Sequence, residues 1–348
     1  MTSRERILCA IHLGTPDRVP VTPWGLGKLD PLGETAQRLI KETDPFIGGG
    51  VGGGDYFLGT AVNSRSETQG DRTVSIIETP LGELRSVRRR TSITSAQVEF
   101  PCKTADDAEK LLSIPYEPPQ VDAAPFVTRK DDIGEDGLVL CGMPNPGMIP
   151  AVYFSPEDYC LLWIESRDAF MRLVEVATER CLPWIEECCR KGVDGFRVIG
   201  GEYASVQLGP EAFDLTMRDP DRKLAAVMHE HGAVCYYHNH GPIMRYLESL
   251  AEIGIDALDP LELPPWGDCD LAEAKRRVGD RFCFVGPLDD MEVIGKADGA
   301  TIEALAAELI ETAGPSGFCL GGTASGTYTE PAAENFIRMV EVSRRMSG

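Results

Sequence analysis

The sequence predicts a (β/α)8 barrel, in which eight parallel strands are surrounded by helices, with an elaborated N-terminal region. From about residue 138, apolar strand-like runs alternate with helical patterns, as in parallel β/α units. Most of these runs end in polar residues, as barrel strands do at their catalytic face. The length of 348 residues suits one barrel, so we expect a single domain over 1–348. A doubly wound open sheet is the alternative.

The chain begins with a predicted helix and a short strand. Thr2 and Glu5 have the spacing of a capping box, which predicts a helix start there. The run "RVPVTPW" (18–24) then reads as a short buried strand and counts as the first strand of the barrel.

Residues 25–137 are less regular and form the elaborated part of the N-terminal region. They include the glycine run "GGGVGGGD" and, between residues 73 and 100, two or three predicted strands with a turn at "TPLGE". Only seven barrel strands are evident in the whole chain, so we expect an eighth near "DYFLG" (55–59).

The remaining barrel elements follow in regular alternation. The strand-like runs are "LVLCG", "GFRVIGG", "AVCYYHNH", "DALDPLE", "FCFVG" and "GFCLGGT". Helices are predicted between and after them, at about 157–192, 219–231, 241–253, 269–278, 300–313 and 331–346.

Composition narrows the cellular context and the partners. No stretch is long and apolar enough for a transmembrane helix, and the start of the chain lacks the apolar core of a signal peptide, so a cytoplasmic protein is expected. Eleven cysteines without a CxxC pair fit reduced thiols. A net charge of −21 argues against nucleic acid and anionic membranes as partners.

Two of the five histidines, His238 and His240, lie one residue apart in "CYYHNHG". On a strand they point to the same side, which suits a metal site, although buried hydrogen-bonded histidines are the alternative. Glu262 ends the next strand-like run, and two imidazoles plus one carboxylate are typical of catalytic zinc. His229 and His231 end a predicted helix, and we expect them to donate hydrogen bonds to its last carbonyls and not to bind a metal.

Several common motifs are missing or lack their context. Gly48, Gly50 and Gly53 form G-x-G-x-x-G, but no clear strand precedes them and no helix follows, so a mobile loop over the site is expected instead of a dinucleotide site. There is no P-loop, HExxH or GxSxG sequence, and the cobalamin-binding pattern D-x-H-x-x-G is absent as well.

The sequence resembles the uroporphyrinogen decarboxylase superfamily over nearly its whole length. The resemblance rests on "SRERILCAIHLGTPDRVPV" at the start, "PAAENFIRMVEVSRR" at the end, and "IDALDPLE" and "CFVGPLD" between. "VCYYHNHG" stands where zinc methyltransferases of this group have H-x-C-G. The family fold is a (β/α)8 barrel.

The resemblance favours the corrinoid-dependent methyltransferases within this superfamily. True decarboxylases bind an anionic tetrapyrrole with an arginine-rich N-terminal motif, but the corresponding stretch "VTPWGLGKLD" has no arginine. Cobalamin-independent methionine synthase is similar in its zinc site, with His-x-Cys, a Glu 22 residues later and a late Cys. This pattern implies zinc ligation by His238, His240 and Glu262, while the late Cys falls near Ser325, several residues after Cys319.

Imidazole in place of thiolate makes zinc a harder Lewis acid, and a harder Lewis acid favours an ether oxygen of the substrate as its ligand. We therefore expect O-demethylation of a methoxylated aromatic, with the methyl group passing to a corrinoid carried by a partner protein. Glu202 is the expected catalytic residue or an additional ligand, and Trp24, Met143 and Tyr203 are expected to line the aromatic pocket. A metal-free decarboxylase, another methyl donor and a non-catalytic binding protein are the alternatives.

Overall fold

The computed structural model describes residues 1–92, 94–323 and 328–347. In that part of the chain the strands are β1 (Val21–Thr22), β2 (Phe46–Gly49), β3 (Asn63–Gln69), β4 (Arg72–Thr79), β5 (Gly82–Arg90), β6 (Ser95–Glu99), β7 (Leu138–Pro144), β8 (Gly195–Ile199), β9 (Val234–His238), β10 (Ala257–Asp259), β11 (Cys283–Leu288) and β12 (Phe318–Gly322).

The helices lie around these strands and at the two ends of the chain. They are α1 (Ser3–Ile11), α2 (Glu34–Glu42), α3 (Ala105–Leu112), α4 (Ala124–Ile133), α5 (Ile149–Tyr153), α6 (Pro156–Glu165), α7 (Arg167–Arg190), α8 (Gly201–Gln207), α9 (Pro210–Phe213), α10 (Asp219–Glu230), α11 (Leu247–Ile253), α12 (Leu271–Val278), α13 (Gly299–Ala313) and α14 (Glu330–Met346). None of the helices in the described ranges combines the length and apolarity needed to cross a membrane.

Eight strands form one parallel sheet in the order β1, β12, β11, β10, β9, β8, β7, β2. Its two edges meet at a parallel bridge between Trp24 and Phe46. There the backbone N–H of Gly25 donates to the carbonyl of Phe46 (2.7 Å), and the N–H of Phe46 donates to the carbonyl of Pro23 (3.0 Å). The sheet therefore closes into a barrel, which confirms the predicted fold class and rules out the open sheet.

The eighth barrel strand is β2, so its predicted position near residues 55–59 was wrong. β2 has only four residues and ends in two glycines, which give no alternating pattern of side chains. The segment that resembled a strand is a turn instead. The Asp55 carboxylate accepts hydrogen bonds from the backbone N–H groups of Phe57 and Leu58, both at 2.7 Å.

A second, antiparallel sheet with the order β3, β4, β5, β6 is inserted between β2 and β7. Its last three strands confirm the prediction for residues 73–100. The prediction missed β3, because all seven of its residues are exposed and therefore lack an apolar face. The insertion follows the C-terminal end of a barrel strand, which is the end where barrel active sites form.

The helices differ from the prediction mainly in their bounds. The predicted helix at 157–192 is two helices, α6 and α7, separated at Ser166. The helical pattern at 241–253 becomes a short 3-10 turn at Met244–Tyr246 followed by α11. The capping box of α1 is present as predicted, with Thr2 accepting from the backbone of Glu5 and the Glu5 carboxylate accepting from the backbone of Thr2.

The barrel interior is filled by side chains and its N-terminal end is covered by α1. Ile7, Ala10 and Ile11 of α1 pack in one cluster with the inward residues of the strands, among them Phe46 and Tyr236. This cluster fills the N-terminal end of the barrel, and the strands end in polar residues at the opposite end.

Candidate functional site

The two histidines of "CYYHNHG" lie together at the mouth of the barrel. His238 is the last residue of β9 and faces the interior, since Val234 and Tyr236 of the same strand belong to the interior cluster. The rings of His238 and His240 are 4.5 Å apart between centroids and nearly perpendicular. Asn239 donates to the hydroxyl of Ser205 in α8 (3.1 Å), which fixes the segment between the histidines.

Each imidazole has a carboxylate on its Nδ1 atom. His238 Nδ1 lies 2.9 Å from Asp259 Oδ1, and His240 Nδ1 lies 3.0 Å from Glu262 Oε1. Glu262 is held further by the backbone N–H of Gly241, which donates to its Oε2 at 2.6 Å. A carboxylate on Nδ1 fixes the tautomer that leaves Nε2 as the free lone pair, as in histidines that bind a metal.

Mutual charge effects stabilise the pair of His240 and Glu262. Burial lowers the pKa of His240, but the hydrogen bond to Glu262 and the charges of Glu262, Glu202 and Asp259 outweigh burial and leave this pKa raised. Burial raises the pKa of Glu262, but His240 and the N–H of Gly241 outweigh it and leave this pKa lowered. The carboxylate of Glu262 therefore stays ionised against His240.

Arg197 joins this cluster and was missed by sequence reasoning. It projects inward from β8, is 9% exposed, and stacks on the ring of Trp24 at 4.0 Å. Its Nη2 lies 2.8 Å from His238 Nδ1 and 3.4 Å from Asp259 Oδ2. An arginine inside the apolar run "GFRVIGG" is the signal that could have revealed it.

His238 Nδ1 cannot donate to Asp259 and accept from Arg197 at the same time. If it accepts from Arg197, the proton lies on Nε2 and that nitrogen has no lone pair for a metal. If it donates to Asp259, Nε2 is free and Arg197 retains Asp259 as its partner. We favour the second arrangement, because the buried carboxylate of Asp259 then accepts a hydrogen bond from each neighbour.

Glu202 reaches the same region through a turn of two glycines. Gly200 has a φ of 125°, and a Cβ on Gly201 would lie 2.1 Å from the Asn239 amide oxygen, so neither position accepts a side chain. This close approach places the first turn of α8 against "HNH". Glu202 Oε2 is buried and has no hydrogen-bond partner.

Open space lies beside these groups on the β2 and β7 side of the mouth. Gly48 and Gly142 occupy inward positions above Phe46 and Leu140, and a Cβ on either would meet no atom within 4 Å. The glycine run thus starts inside a strand and enlarges the mouth. It continues as a loop, with Gly53 at a φ of 107°, and no helix follows directly.

The residues fit a zinc ion in their chemistry, although their side chains are not gathered around one point. Among the described residues, no three His, Cys, Asp or Glu side chains form a metal-binding group. The donor types nevertheless suit zinc, because the site offers two neighbouring imidazoles and, on α8, a buried carboxylate oxygen of Glu202 without a hydrogen-bond partner. Glu202, Asp259 and Glu262 also carry two more formal negative charges than Arg197 balances, which a divalent cation would neutralise.

Comparison with known proteins identifies the family. The sequence model of the family described as "Uroporphyrinogen decarboxylase (URO-D)" matches residues 146–346. The chain belongs to the uroporphyrinogen decarboxylase family. No curated protein sequence matches it significantly.

One of the similar solved structures, a methyltransferase, shares the fold of this uroporphyrinogen decarboxylase family member. A methyltransferase from Methanosarcina mazei is 15% identical, with a TM-score of 0.66 and full coverage of both chains. A putative vitamin-B12 independent methionine synthase from Listeria monocytogenes is 19% identical, with a TM-score of 0.45 over 64% of this chain and 70% of that one. A B12-independent methionine synthase from Shewanella sp. W3-18-1 is 10% identical, with a TM-score of 0.45 over 94% and 97%.

In this family member the predicted aromatic contacts lie in different surroundings. Trp24 faces the interior and contacts Arg197, and Arg197 in turn contacts His238. Tyr203 of α8 is half-buried and lies against Tyr159, with ring centroids 6.3 Å apart. Met143 is 1% exposed and packs with the outward residues of β7 against the helices, so its contact with a substrate has no structural support.

The other candidate metal ligands are not at the mouth or lie outside the described residues. Cys319 is buried in the interior cluster that contacts α1, and its Sγ is 3.8 Å from that of Cys283. Ser325 lies outside the described residues. His229, near the end of α10, bonds to the Asp256 carboxylate (2.9 Å) and not to the helix carbonyls that were its expected partners, and His231 is the exposed residue that follows the helix.

Proposed function

We propose that this protein is a zinc-dependent methyltransferase, which transfers the methyl group of a methoxylated aromatic to the Co(I) of a corrinoid protein. The observation that carries the proposal is the pair of imidazoles at the barrel mouth, each with a carboxylate on Nδ1. The fold shared with a protein described as a methyltransferase over the full length of both chains agrees with it.

His238 and His240 supply the nitrogen ligands in this proposal. For the carboxylate ligand there are two candidates. Glu262 has the spacing of the zinc pattern, but in the structure it faces His240 Nδ1, and it must give up that bond to reach a metal at Nε2. Glu202 lies outside the pattern, but its Oε2 is buried and unpartnered. Zinc bound here supplies a Lewis acid for the ether oxygen of the substrate.

Methyl transfer and protonation of the product depend on residues of the chain and on the corrinoid that accepts the methyl group. The methyl carbon leaves the ether oxygen for cobalt, the C–O electron pair stays on the oxygen, and the phenolate takes up a proton. Glu202 is proposed to orient the substrate or to deliver that proton, unless it binds the metal. Trp24, which faces the barrel interior, and Tyr203 stay proposed substrate contacts, whereas Met143 packs against the helices and is no longer proposed. The corrinoid is supplied by a partner, because the sequence lacks D-x-H-x-x-G.

The test is methylation of cobalt, followed by the visible spectrum together with release of the phenol. The chain alone should convert no methoxyphenol, whereas reduced cob(I)alamin should allow formation of catechol. A corrinoid protein should be the better acceptor, because docking holds cobalt in line with the C–O bond. His238→Ala should abolish the reaction, and His231→Ala, which changes an exposed histidine, serves as the matched control.

Three outcomes would replace the proposal with its alternatives. Decarboxylation of a porphyrinogen without methylation of cobalt would favour a metal-free decarboxylase. Methylation of cobalt from nitrogen or sulfur donors alone would keep the methyltransferase and change the donor. Ligand binding with neither reaction would favour a non-catalytic binding protein.

A further inference from the structure

An apolar cavity lies at the barrel mouth, between the ends of β10, β11 and β12. Its volume is about 110 Å³. Its lining is mostly apolar and includes one aromatic ring; the residues are Glu262, Leu263, Pro264, Trp266, Pro287, Leu288, Asp289, Val293 and Thr323. We propose that this cavity, called the ring slot below, binds the aromatic ring of the methyl donor and restricts the donor to a single ring.

The size of the ring slot carries the first step of the argument. An engineered apolar cavity of about 150 Å³ binds benzene. A slot of about 110 Å³ is smaller than that cavity, but it is open at its rim, so it suits at most one six-membered ring, with substituents extending out of it. A fused two-ring system does not fit, and a tetrapyrrole is excluded by a wide margin. The slot thus favours a single ring, because a second fused ring would have to lie outside its volume, past the Trp266 wall.

The position of Glu262 connects the ring slot to the proposed chemistry. Glu262 forms one wall of the slot, and its carboxylate also bonds to His240 Nδ1 at 3.0 Å. A ring in the slot therefore lies beside the histidine pair, and an oxygen substituent on its near edge points toward that pair. The inference rests on the proposed function for the identity of the substituent, but not for the binding of the ring.

Trp266 is the wall of the slot most easily changed. It is 51% exposed and lies in a turn whose backbone folds back on Glu262: the N–H of Cys269 donates to the carbonyl of Glu262 at 3.1 Å. Gly267 permits this turn, because a Cβ there would lie 2.3 Å from the same carbonyl oxygen. An exposed aromatic ring fixed beside a small apolar cavity suits stacking on a ligand ring.

The first experiment fills the slot. Val293 is half-buried in the slot wall, and Val293→Phe adds a ring to a space of about 110 Å³. We expect it to weaken the binding of 2-methoxyphenol, measured by calorimetry without corrinoid, by about tenfold or more, or about 1.4 kcal/mol. Val98→Phe, at an exposed position of the inserted sheet, is the matched control and should bind like the wild type.

The second experiment opens the slot and does not depend on the stability of the first variant. Trp266→Ala removes an exposed wall, so the fold should persist. The wild type should prefer 2-methoxyphenol over 2-methoxynaphthalene by about 100-fold in affinity, and Trp266→Ala should reduce this preference to below about tenfold. An unchanged preference in Trp266→Ala, or unchanged affinity in a folded Val293→Phe, would overturn the ring slot.

Binding and methylation of cobalt are separate measurements, so the two proposals fail separately. A wild type that binds methoxyphenol in the slot but never methylates cobalt refutes the proposed function and retains the slot. If the wild type, Val293→Phe and Trp266→Ala all methylate cobalt equally well, with the same KM for both ring sizes, the proposed function is retained and the ring slot is refuted.

Discussion

Replacing Glu262 with Gln tests whether this carboxylate acts on zinc directly or through His240. In the structure the carboxylate accepts two hydrogen bonds, from His240 Nδ1 at 3.0 Å and from the backbone N–H of Gly241 at 2.6 Å. The amide of Gln has only one acceptor oxygen, so one of the two donors would face an NH₂ group. The variant therefore loses one charge-assisted hydrogen bond and the negative charge that holds His240.

The size of the effect follows from this loss. A hydrogen bond to a charged group contributes roughly 1.5–3 kcal/mol, which corresponds to about 10- to 150-fold in an equilibrium constant. Loss of a carboxylate behind a ligating histidine usually weakens metal affinity by about 10- to 100-fold. From the observed geometry we expect Glu262→Gln to weaken zinc affinity by about this factor and still to bind about one zinc per chain at saturation.

The assay is competition for zinc against a chelator of known affinity, with the stoichiometry checked by elemental analysis. Glu311→Gln, at an exposed position of α13, is the matched control and should bind zinc like the wild type. Complete loss of zinc from Glu262→Gln, even at high zinc concentration, would refute the indirect role and support the ligand role that the spacing predicts. Unchanged affinity would mean that Glu262 has no role at the metal.

Three further predictions concern zinc, the proton and pH. The wild type should contain about one zinc per chain, and His238→Ala should lose it while the far-ultraviolet circular dichroism stays unchanged, because a large barrel core does not depend on the metal; a collapse of the signal would indicate a structural histidine. If Glu262→Gln keeps its zinc, Glu202 is the remaining candidate for the carboxylate ligand, and Glu202→Gln should then lose zinc and demethylation rate equally; a larger loss of rate than of zinc would make Glu202 a catalytic residue instead. Burial raises the pKa of Asp221 from 3.8 to about 7, despite the hydrogen bonds from Tyr237 and Asn145, so the folded state holds this proton to higher pH than the unfolded chain. The stability contributed by the Asp221 proton is fully present below pH 3.8 and is lost as the pH rises to about 7. In urea unfolding across this window, Asp221→Asn should therefore gain stability relative to the wild type by up to about 1.4 kcal/mol per pH unit. A stability difference that does not change with pH would contradict this prediction.

The sequence by itself determined the barrel and predicted where its chemistry takes place. Alternation of apolar strand runs and helical patterns is a local property, and it predicted the parallel units from residue 138 onward. The spacing of His238 and His240 predicted that both rings lie on one side if a strand runs through both; β9 ends at His238, but the rings do lie 4.5 Å apart. The same alternation applied to β7 would have shown that Met143 faces the helices.

Only the tertiary structure decided which groups meet at the mouth. The short strand β2 is recognised by its pairing with β7 and its bridge to Trp24, since four residues ending in glycines carry no pattern of their own. The partners of the histidines are likewise set by closure of the barrel. Asp259 ends the next strand and Glu262 follows it, and both reach the Nδ1 atoms, while Arg197 comes from the preceding strand. A sequence pattern fixes the side of a strand on which a residue lies, but partners more than twenty residues apart are chosen by packing, because only the closed barrel brings their atoms within hydrogen-bond distance.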